Sequence, residues 1–447
     1  MGKKSKKSSS KKTIQPTIIP RTEHTISRQA INPNALKVLY RLHNSGFEAF
    51  LVGGCVRDLL LGKQPKDFDV ATNASPEEVR KLFKNCRLIG KRFRLAHIVF
   101  GKDIIEVATF RTHHENGGHQ HGRMHQGMIV RDNVFGSIED DACRRDFSIN
   151  ALYYNIADFS VVDYAQGIQD VKARLLRMIG NPELRFREDP VRLLRGIRFM
   201  GKLNLNISPE TEAPIIPLSH LLQNVSSARL YQEVLKFFAE GELLDTFRLL
   251  KKYKLFEQLF PQTSAVLNKP HVLNLIEQSL KNTDQRLKLD KTVSPAFLFA
   301  VFLWHPVQAQ VVKEKDHDLP PYVAFEKTVQ VVIKQQTTQL AIPRLMQTAI
   351  HDICFLQYRF TQRFGARPHR VLEHPRFRAA YDLLLLRTES NDIEKELYDW
   401  WTLFHDAPTA EEREQLIKKV SNSRPKKPRK SRRKVHKKPA IKQEQTN

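Results

Sequence analysis

The stretch LVGGCVRDLLLGKQPKDFDVAT, residues 51–72, carries the strongest structural signal in the chain. It continues a β run, is interrupted by Gly53 and Gly54, proceeds as an apolar helix that Gly62 ends, and returns to a β pattern. Glycine lets the backbone approach a ligand closely, and the amides at the start of a helix attract phosphate. The sequence therefore predicts a phosphate-binding turn inside a strand–turn–helix–strand unit.

The second strand of this unit carries a pair of carboxylates. Asp67 and Asp69 stand two residues apart, so a strand directs both side chains to one face, while Phe68 and Val70 point into the core. Two neighbouring carboxylates repel each other unless a cation lies between them, and Mg²⁺ held by carboxylates and substrate phosphates is the common solution. A lone D-x-D is a weak signal, but beside the glycine turn it predicts a metal and phosphate site.

A third carboxylate is offered by the segment Ile105-Glu106-Val107, in which an acid lies between two apolar residues of a predicted strand. A two-metal site benefits from such a neighbouring ligand. The alternative is a glutamate on the solvent face of an edge strand, and the residues alone leave both interpretations open.

The segment CRRDFSINALYY, residues 143–154, is the second constellation. If it is helical, Asp146 and Asn150 share a face at i and i+4. Arg144 and Arg145 add positive charge that could meet a triphosphate. Ordinary surface pairing within a helix remains the alternative.

The third constellation is REDPVRLLRGIRF, residues 187–199. Its proline predicts a helix that begins near Asp189, along which Arg192, Arg195 and Arg198 recur on one side. Asp189 and Arg192 could form a salt bridge with each other. They could instead present an acceptor and donors to the edge of a nucleobase.

Charge is the main compositional signal of this chain of 447 residues, whose formal net charge is +25. Residues 1–12 hold six Lys and no acid, and residues 424–438 hold ten Lys or Arg and no acid. Like charges within such ends repel each other and favour binding to polyanions. Binding of nucleic acid is favoured over attachment to a membrane surface or a role as a nuclear localisation signal.

The longest apolar run, residues 296–304, is too short to span a membrane, which needs ~20 residues. Four scattered cysteines without C-x-x-C argue against disulfides and for a cytoplasmic protein.

The elements before residue 180 mix strands and helices, whereas long 3.6-residue periods dominate after it. The predicted fold class is therefore α+β: a head with a small mixed sheet and helices, followed by an all-helical body between two disordered basic tails. The predicted domains are a basic tail (1–25), the head with the catalytic carboxylates (26–180), a helical neck and body that binds the base and RNA (181–300), a helical RNA-binding domain (301–420) and a basic tail (421–447).

In order and spacing, residues 51–72, RRDFSINALYY (144–154) and REDPVRLLRGIRF (187–199) resemble the three signature motifs of the class II nucleotidyltransferases. This family belongs to the polymerase-beta-like superfamily and comprises bacterial poly(A) polymerases and CCA-adding enzymes. Downstream, SPAFLFAVFLWHP (294–306), AIPRLM (341–346) and the basic end resemble the poly(A) polymerases. Two departures are Cys55 after the double glycine and a His-rich loop at 113–125, which leaves an unusual RNA or metal contact open.

The resemblance implies a role for each matching residue. Asp67, Asp69 and Glu106 would bind Mg²⁺, with Mn²⁺ as a substitute, and Asp146 would be an essential carboxylate for either ribose or metal. The implied nucleotide-binding residues are Gly53, Gly54 and Arg57 for the triphosphate, Asp189 and Arg192 for the base, and Arg145, Asn150 and Arg195 nearby.

The implied activity is template-independent transfer of AMP from ATP to RNA 3′ ends, with release of pyrophosphate, which would promote RNA decay and quality control. ATP and the 3′ ends of mRNA and other transcripts would be the substrates, and the RNA-decay machinery a candidate partner. The alternatives are a CCA-adding enzyme acting on tRNA and a non-catalytic RNA-binding protein with a transferase-like head.

Overall fold

The computed structural model describes residues 15–90, 94–112, 124–125, 128–129, 134–313 and 319–422. Within them lie two compact units, one up to His351 and one from Asp352. This division falls inside the segment 301–420 that the sequence treats as one helical domain. Among the described residues, none of the helices combines the length and the apolar character that a membrane span requires.

The first unit begins with an eight-stranded sheet in the order β1-β10-β9-β2-β3-β6-β5-β4. All neighbours are antiparallel except β3 and β6, which are parallel. The strands of this sheet are β1 (Thr17–Ile19), β2 (Ala49–Val52), β3 (Asp69–Thr72), β4 (Cys86–Ile89), β5 (Leu95–Phe100), β6 (Asp103–Thr109), β9 (Leu152–Asn155) and β10 (Val161–Asp163). Two small pairs join β7 (Met124–His125) to β8 (Met128–Ile129), and β11 (Leu175–Leu176) to β12 (Asn206–Ile207).

Five helices accompany the sheet: α1 (Pro33–Asn44), α2 (Gly54–Leu60), α3 (Pro76–Leu82), α4 (Ile138–Arg144) and α5 (Gly167–Lys172). A capping box, a motif readable from the sequence alone, is formed by Ser75 and Glu78 and starts α3. Phe68 and Val70 are buried as predicted, and α1 packs against β2, β3 and β6. The mixed sheet with its helices confirms the predicted head.

Two local predictions for the head were wrong. Residues 17–25 are not a tail, because β1 pairs with β10 and the ring of His24 contacts the carbonyl of Phe159 at 2.8 Å. The segment 143–154 does not form the helix considered for Asp146 and Asn150, because Arg145 takes an extended conformation after α4 and a 3₁₀ turn follows at Ser148–Asn150.

A helical body follows, as predicted, apart from the two-residue strand β12. Its helices in the first unit are α6 (Pro182–Glu188), α7 (Val191–Leu203), α8 (Pro209–Glu212), α9 (Ile215–Leu218), α10 (Ser227–Glu240), α11 (Leu243–Lys252), α12 (Phe256–Leu259), α13 (Pro261–Ser264), α14 (Pro270–Lys288), α15 (Pro295–Lys313) and α16 (Pro321–Gln339); α17 (Arg344–Phe360) spans the division. Buried phenylalanine rings at centroid distances of 4.9–6.4 Å join four of these helices: Phe238, Phe247, Phe256, Phe260, Phe299 and Phe302. Such edge-to-face and stacked rings stabilise a core beyond their buried area, so α10 rests on a rigid support.

The second unit contains α18 (Arg367–Leu372), α19 (Phe377–Glu389), α20 (Lys395–Asp406) and α21 (Ala410–Asn422). Trp401 is fully buried, packs on Phe360 at 4.9 Å and donates its indole N–H to the Phe360 carbonyl at 2.9 Å. Trp400 is buried beside it and stacks on Phe404 at 5.0 Å. This adjacent tryptophan pair is therefore core rather than an exposed platform for RNA bases.

Candidate active site

The three predicted carboxylates meet at the junction of β3 and β6. Asp69 and Glu106 are register partners in this parallel pair, so they share a face of the sheet. Asp67 lies just before β3 rather than within it, because β2 ends at Val52, the register partner of Asp69. Asp67 and Asp69 are both exposed, and Glu106 is partly so.

These carboxylates disturb one another. Crowding by surrounding protein atoms, and then repulsion from Glu106, raise the pKa of Asp69 to about 6; Arg145 opposes the rise and Asp67 adds to it. Glu106 also lies 3.4 Å from the ring of His97 on the neighbouring strand β5. A set of hard oxygen donors that repel each other fits a divalent cation.

The glycine turn lies beside this group. Gly53 adopts φ +78°, a conformation that side-chain-bearing residues rarely take, and a Cβ there would stand 3.3 Å from the Arg145 guanidinium. Gly54 then begins α2. Arg57, one turn later, is buried and donates to Asn150 at 2.7 Å and to Asp58 at 2.7 Å. The helix that follows the glycine turn therefore carries a guanidinium, that of Arg57, which Asn150 and Asp58 hold in one orientation.

Asp146 connects the segments of the site. Its Oδ1 accepts from the backbone of Phe147 at 2.8 Å and from the side chain of Asn150 at 3.1 Å. Its Oδ2 accepts from Nε of Arg195 in α7 at 2.7 Å and forms an ion pair with Nη2 of the same guanidinium at 2.6 Å. Burial opposes ionisation, but Arg195 and these hydrogen bonds outweigh it and hold the pKa of Asp146 well below its usual range. Asp146 and Asn150 do meet, but through a 3₁₀ turn and not a helix.

Arg145 is fixed by partners that the sequence did not single out. It donates to Asp141 at 2.9 Å and to the hydroxyl of Tyr153 at 2.9 Å, and Tyr153 donates to Asp141 at 2.7 Å. Burial works against the charge on Asp141, but Arg145 and Arg144 lower the pKa of Asp141 to about 2. The sequence pattern of β9 does not reveal this network, because it predicts only that the side chain of Tyr153 is part of the core.

Asp189 and Arg192 lie at the start of α7 and do not pair with each other through their side chains. Arg192 donates from Nη1 to Glu188 at 2.7 Å and to the Arg185 carbonyl at 2.7 Å. Asp189 accepts from Arg229 of α10 at 3.0 Å. Asp189 and Arg192 therefore bind different partners instead of forming the salt bridge with each other that the sequence left open.

The site comprises two adjoining cavities. One, of about 560 Å³, is lined by the glycine turn, Arg57, Asp67 and Asp69. The other, of about 810 Å³, is lined by Glu106, Asp189, Arg192 and the α10 residues Ala228, Arg229, Gln232, Glu233 and Lys236. The residues that line both are Arg145, Asp146, Arg195 and Lys236. All twelve residues predicted for the site therefore line one or both of these cavities.

The sequence analysis did not identify the residues of α10 that line the second cavity. Its residues lie in the amphipathic stretch SARLYQEVLKFFAE, whose pattern reads only as core packing. The His-rich loop cannot be placed, because most of residues 113–125, with all their side chains, lie outside the described part of the chain.

Comparison with known families settles the family of the chain. A Salmonella typhimurium protein named poly(A) polymerase I is 50% identical over 409 residues, which cover 90% of this chain and 88% of that protein. The chain belongs to the poly(A) polymerase family. Family models match the poly A polymerase head domain at residues 49–177, a probable RNA and SrmB-binding site of polymerase A at 204–267, and the polymerase A arginine-rich C-terminus at 317–437.

CCA-adding enzymes are more distant relatives of this poly(A) polymerase family member. One from Lactobacillus helveticus is 38% identical over 202 residues, which cover 45% of this chain and 49% of that protein. The solved structure of a Thermotoga maritima CCA-adding enzyme complexed with tRNA shares the fold, with a TM-score of 0.59 and 20% identity over 92% of this chain and 96% of that chain.

Proposed function

We propose that this chain is a polynucleotide adenylyltransferase that transfers AMP from ATP to RNA 3′ ends without a template and releases pyrophosphate. The observation that carries the proposal is the junction of β3 and β6. There, the Asp69–Glu106 register pair and Asp67 lie beside a glycine turn, and Asp146 joins them to a helix that presents Asp189 and Arg192.

The acidic group is the proposed cation site. Asp67, Asp69 and Glu106 would hold Mg²⁺, or Mn²⁺ in its place, and the raised pKa of Asp69 is consistent with the excess of negative charge that such a cation would neutralise. When bound, such an ion lowers the pKa of an attacking hydroxyl and stabilises negative charge on phosphate.

The first cavity suits the triphosphate. Gly53 and Gly54 leave the backbone accessible, and Arg57, Lys63 and Lys66 surround the same space with positive charge. The RNA 3′-hydroxyl attacks the α-phosphate in line with the departing pyrophosphate. This geometry requires that the triphosphate be held in one orientation.

Asp146 is better suited to positioning than to holding a cation. Its two oxygens already accept three hydrogen bonds, one of them from Arg195, and form an ion pair with the same guanidinium, so its negative charge is neutralised within the protein. We therefore assign it to orientation of the nucleotide, with the ribose hydroxyls as its nearest chemical match.

The second cavity suits the base. Adenine presents an amino donor and a ring-nitrogen acceptor, which match the carboxylate of Asp189 and the guanidinium of Arg192. The contacts of Arg192 in the described residues use Nη1 and leave Nη2 and Nε for a ligand. Because guanine or uracil would leave these groups unpaired, the protein can reject both bases without a template.

Binding of RNA rests on sequence-independent charge. Residues 359–378 hold six arginines and one acid, and the basic ends 1–12 and 424–438 add sixteen positive charges outside the described residues. Such contacts weaken as the salt concentration rises. All four cysteines are free, in keeping with a reducing cytoplasm as the site of action.

The test is extension of a generic RNA and of tRNA lacking its terminal CCA, with Mg²⁺ and each nucleotide supplied separately. A long ladder on the generic RNA with ATP alone is the expected result. Addition of CTP and ATP confined to the tRNA would establish the CCA-adding alternative. RNA binding without any addition would establish the non-catalytic one.

A further inference from the structure

We propose that Phe199 is a positioning residue whose ring holds three guanidinium groups in place to bind the triphosphate of ATP; this rests on the function proposed above. The observation is a cluster of three arginines around one ring. The guanidinium carbons of Arg198, Arg57 and Arg195 lie 4.7, 5.2 and 5.5 Å from the ring centroid of Phe199. All four residues line the first cavity, where the triphosphate would bind.

These distances are those of cation–π contacts. An aromatic face attracts a cation within about 6 Å of the ring centroid, and the attraction is stronger where water is excluded. Phe199 is 5% exposed, and Arg57 and Arg198 are 3% and 6% exposed. Water therefore screens the contacts of these two arginines with the ring only weakly.

The three arginines repel one another and come from two elements. Arg57 belongs to α2 in the head, whereas Arg195 and Arg198 lie one turn apart on α7. Each of the three has an acid of its own as an ion-pair partner: Asp58 at 2.7 Å, Asp146 at 2.6 Å and Glu240 at 2.5 Å, respectively. Because these partners differ, each acid orients one arginine, whereas the ring contacts all three.

A neutral ring also differs from an acid in its effect on the ligand. An acid that orients an arginine cancels its charge and repels phosphate, whereas a ring attracts the cation through its quadrupole and adds no net charge. The ion pairs of the described residues use Nε and Nη2 of Arg195, and Nη1 and Nε of Arg198. These contacts leave Nη1 of Arg195 and Nη2 of Arg198 for phosphate oxygens.

The ring of Phe199 is itself held in one orientation. The ring of Phe147 packs on it at an interplanar angle of 87°, with the centroids 5.9 Å apart, and Phe147 is fully buried. Gly196 lets α7 come close to this pair, since a Cβ there would stand 3.2 Å from Phe147 Cζ. Phe199 therefore meets the arginines from a fixed position.

The experiment changes the charge distribution of the ring and leaves its size almost unaltered. In the full chain, Phe199 is replaced by phenylalanine that carries one, two or three fluorine atoms, which withdraw electrons from the ring face and weaken its attraction for cations. Calorimetric titration measures the Kd of inorganic tripolyphosphate with Mg²⁺ and, separately, the Kd of adenosine. The matched control carries the same fluorinated residues at Phe238, which is also 5% exposed, packs on Phe299 and Phe302, and lines neither cavity.

We expect the affinity for tripolyphosphate to fall with each fluorine atom, to about a tenth of the wild-type value with three, while the affinity for adenosine stays unchanged. F199L, which has no aromatic face, should lose at least as much. In RNA extension, the same series should lower kcat/KM for ATP in parallel steps without changing the preference among the four nucleotides. The Phe238 series should match the wild type for both ligands.

Two results would overturn the role of Phe199. One is an affinity for tripolyphosphate that does not change with the number of fluorine atoms. The other is an equal loss of affinity for adenosine, which would indicate a general structural effect. A wild-type chain that adds no AMP to RNA would instead overturn the function proposed above; the binding series needs no RNA and would still decide whether the ring of Phe199 supports phosphate binding.

Discussion

The two cavities of the site differ in how the chain builds them. The triphosphate cavity draws its glycine turn, Arg57, Asp67 and Asp69 from one stretch of 22 residues, 51–72. The base cavity draws its lining from β6, the segment after α4, the start of α7 and one side of α10. The first is thus founded on one local stretch that α7 and α10 complete, whereas the second takes no lining from that stretch and exists only when distant segments pack.

This difference predicts different consequences of mutation. Groups of the triphosphate cavity should govern the rate of the chemical step. Groups of the base cavity should govern which nucleotide is accepted, except Glu106, which belongs to the proposed cation site. Asp146 and Arg195 line both cavities, so their loss should affect both properties.

The largest expected effect is that of D69N. This nearly isosteric change removes one charge from the acidic group, and we expect the single-turnover rate of AMP addition to fall at least about a thousandfold, or ~4 kcal/mol. Folding should be retained, because the change also removes repulsion with Glu106. The matched control is D103N, since Asp103 is a carboxylate of β6 that contacts Asn32 and Asn34 and lines neither cavity. A rate for D69N within tenfold of wild type would refute the assignment of this group to catalysis.

An intermediate effect is expected for D146N. The change leaves the Arg195 guanidinium without its carboxylate, and we expect about 2 kcal/mol less stability, below the full cost of breaking a buried pair because Arg195 remains one-third exposed. The rate should fall about a hundredfold, with a higher KM for ATP. Denaturant unfolding and steady-state kinetics measure the two effects. The double variant D146N/R195Q should recover stability but not activity; recovery of activity would contradict the positioning role.

A smaller effect is expected from pH. The raised pKa of Asp69, about 6, means that the native state holds this proton more tightly than the unfolded chain. In metal-free protein the stability from this group is therefore present at pH 4 and is lost as the pH rises through 6. Mg²⁺ should offset that loss, so it should raise the melting temperature at pH 7.5 but not at pH 5. Each pH unit below 6 should weaken Mg²⁺ binding about tenfold, and an equal Mg²⁺ effect at both pH values would count against the site.

The comparison also shows where sequence reasoning succeeds. Alternation around Asp67 and Asp69, the capping box at Ser75 and the change to helical periods near residue 180 are local patterns, and the structure confirms the head and body they predict. Local patterns fail where a residue is fixed by a distant partner. Arg145 leaves the predicted helix because Asp141 and Tyr153 hold its guanidinium, and β1 forms because β10 offers it an edge.

Arg229 shows the same limit within the site. In the sequence it is one charged residue of an amphipathic helix, and its significance comes from a contact with Asp189 that only the packing of α10 against α7 creates. The predicted pair at the start of α7 lines the cavity as expected. The residue that fixes one member of that pair could not be found from spacing.

One measurement tests the division between the two cavities most directly. The crystal structure of the chain with Mn²⁺ and a non-hydrolysable ATP analogue would locate the metal by its anomalous signal. The account predicts Mn²⁺ among Asp67, Asp69 and Glu106, the triphosphate at Gly53 and Gly54, and the adenine edge on Asp189 and Arg192. An adenine bound away from α7, or a metal away from the β3–β6 junction, would contradict it.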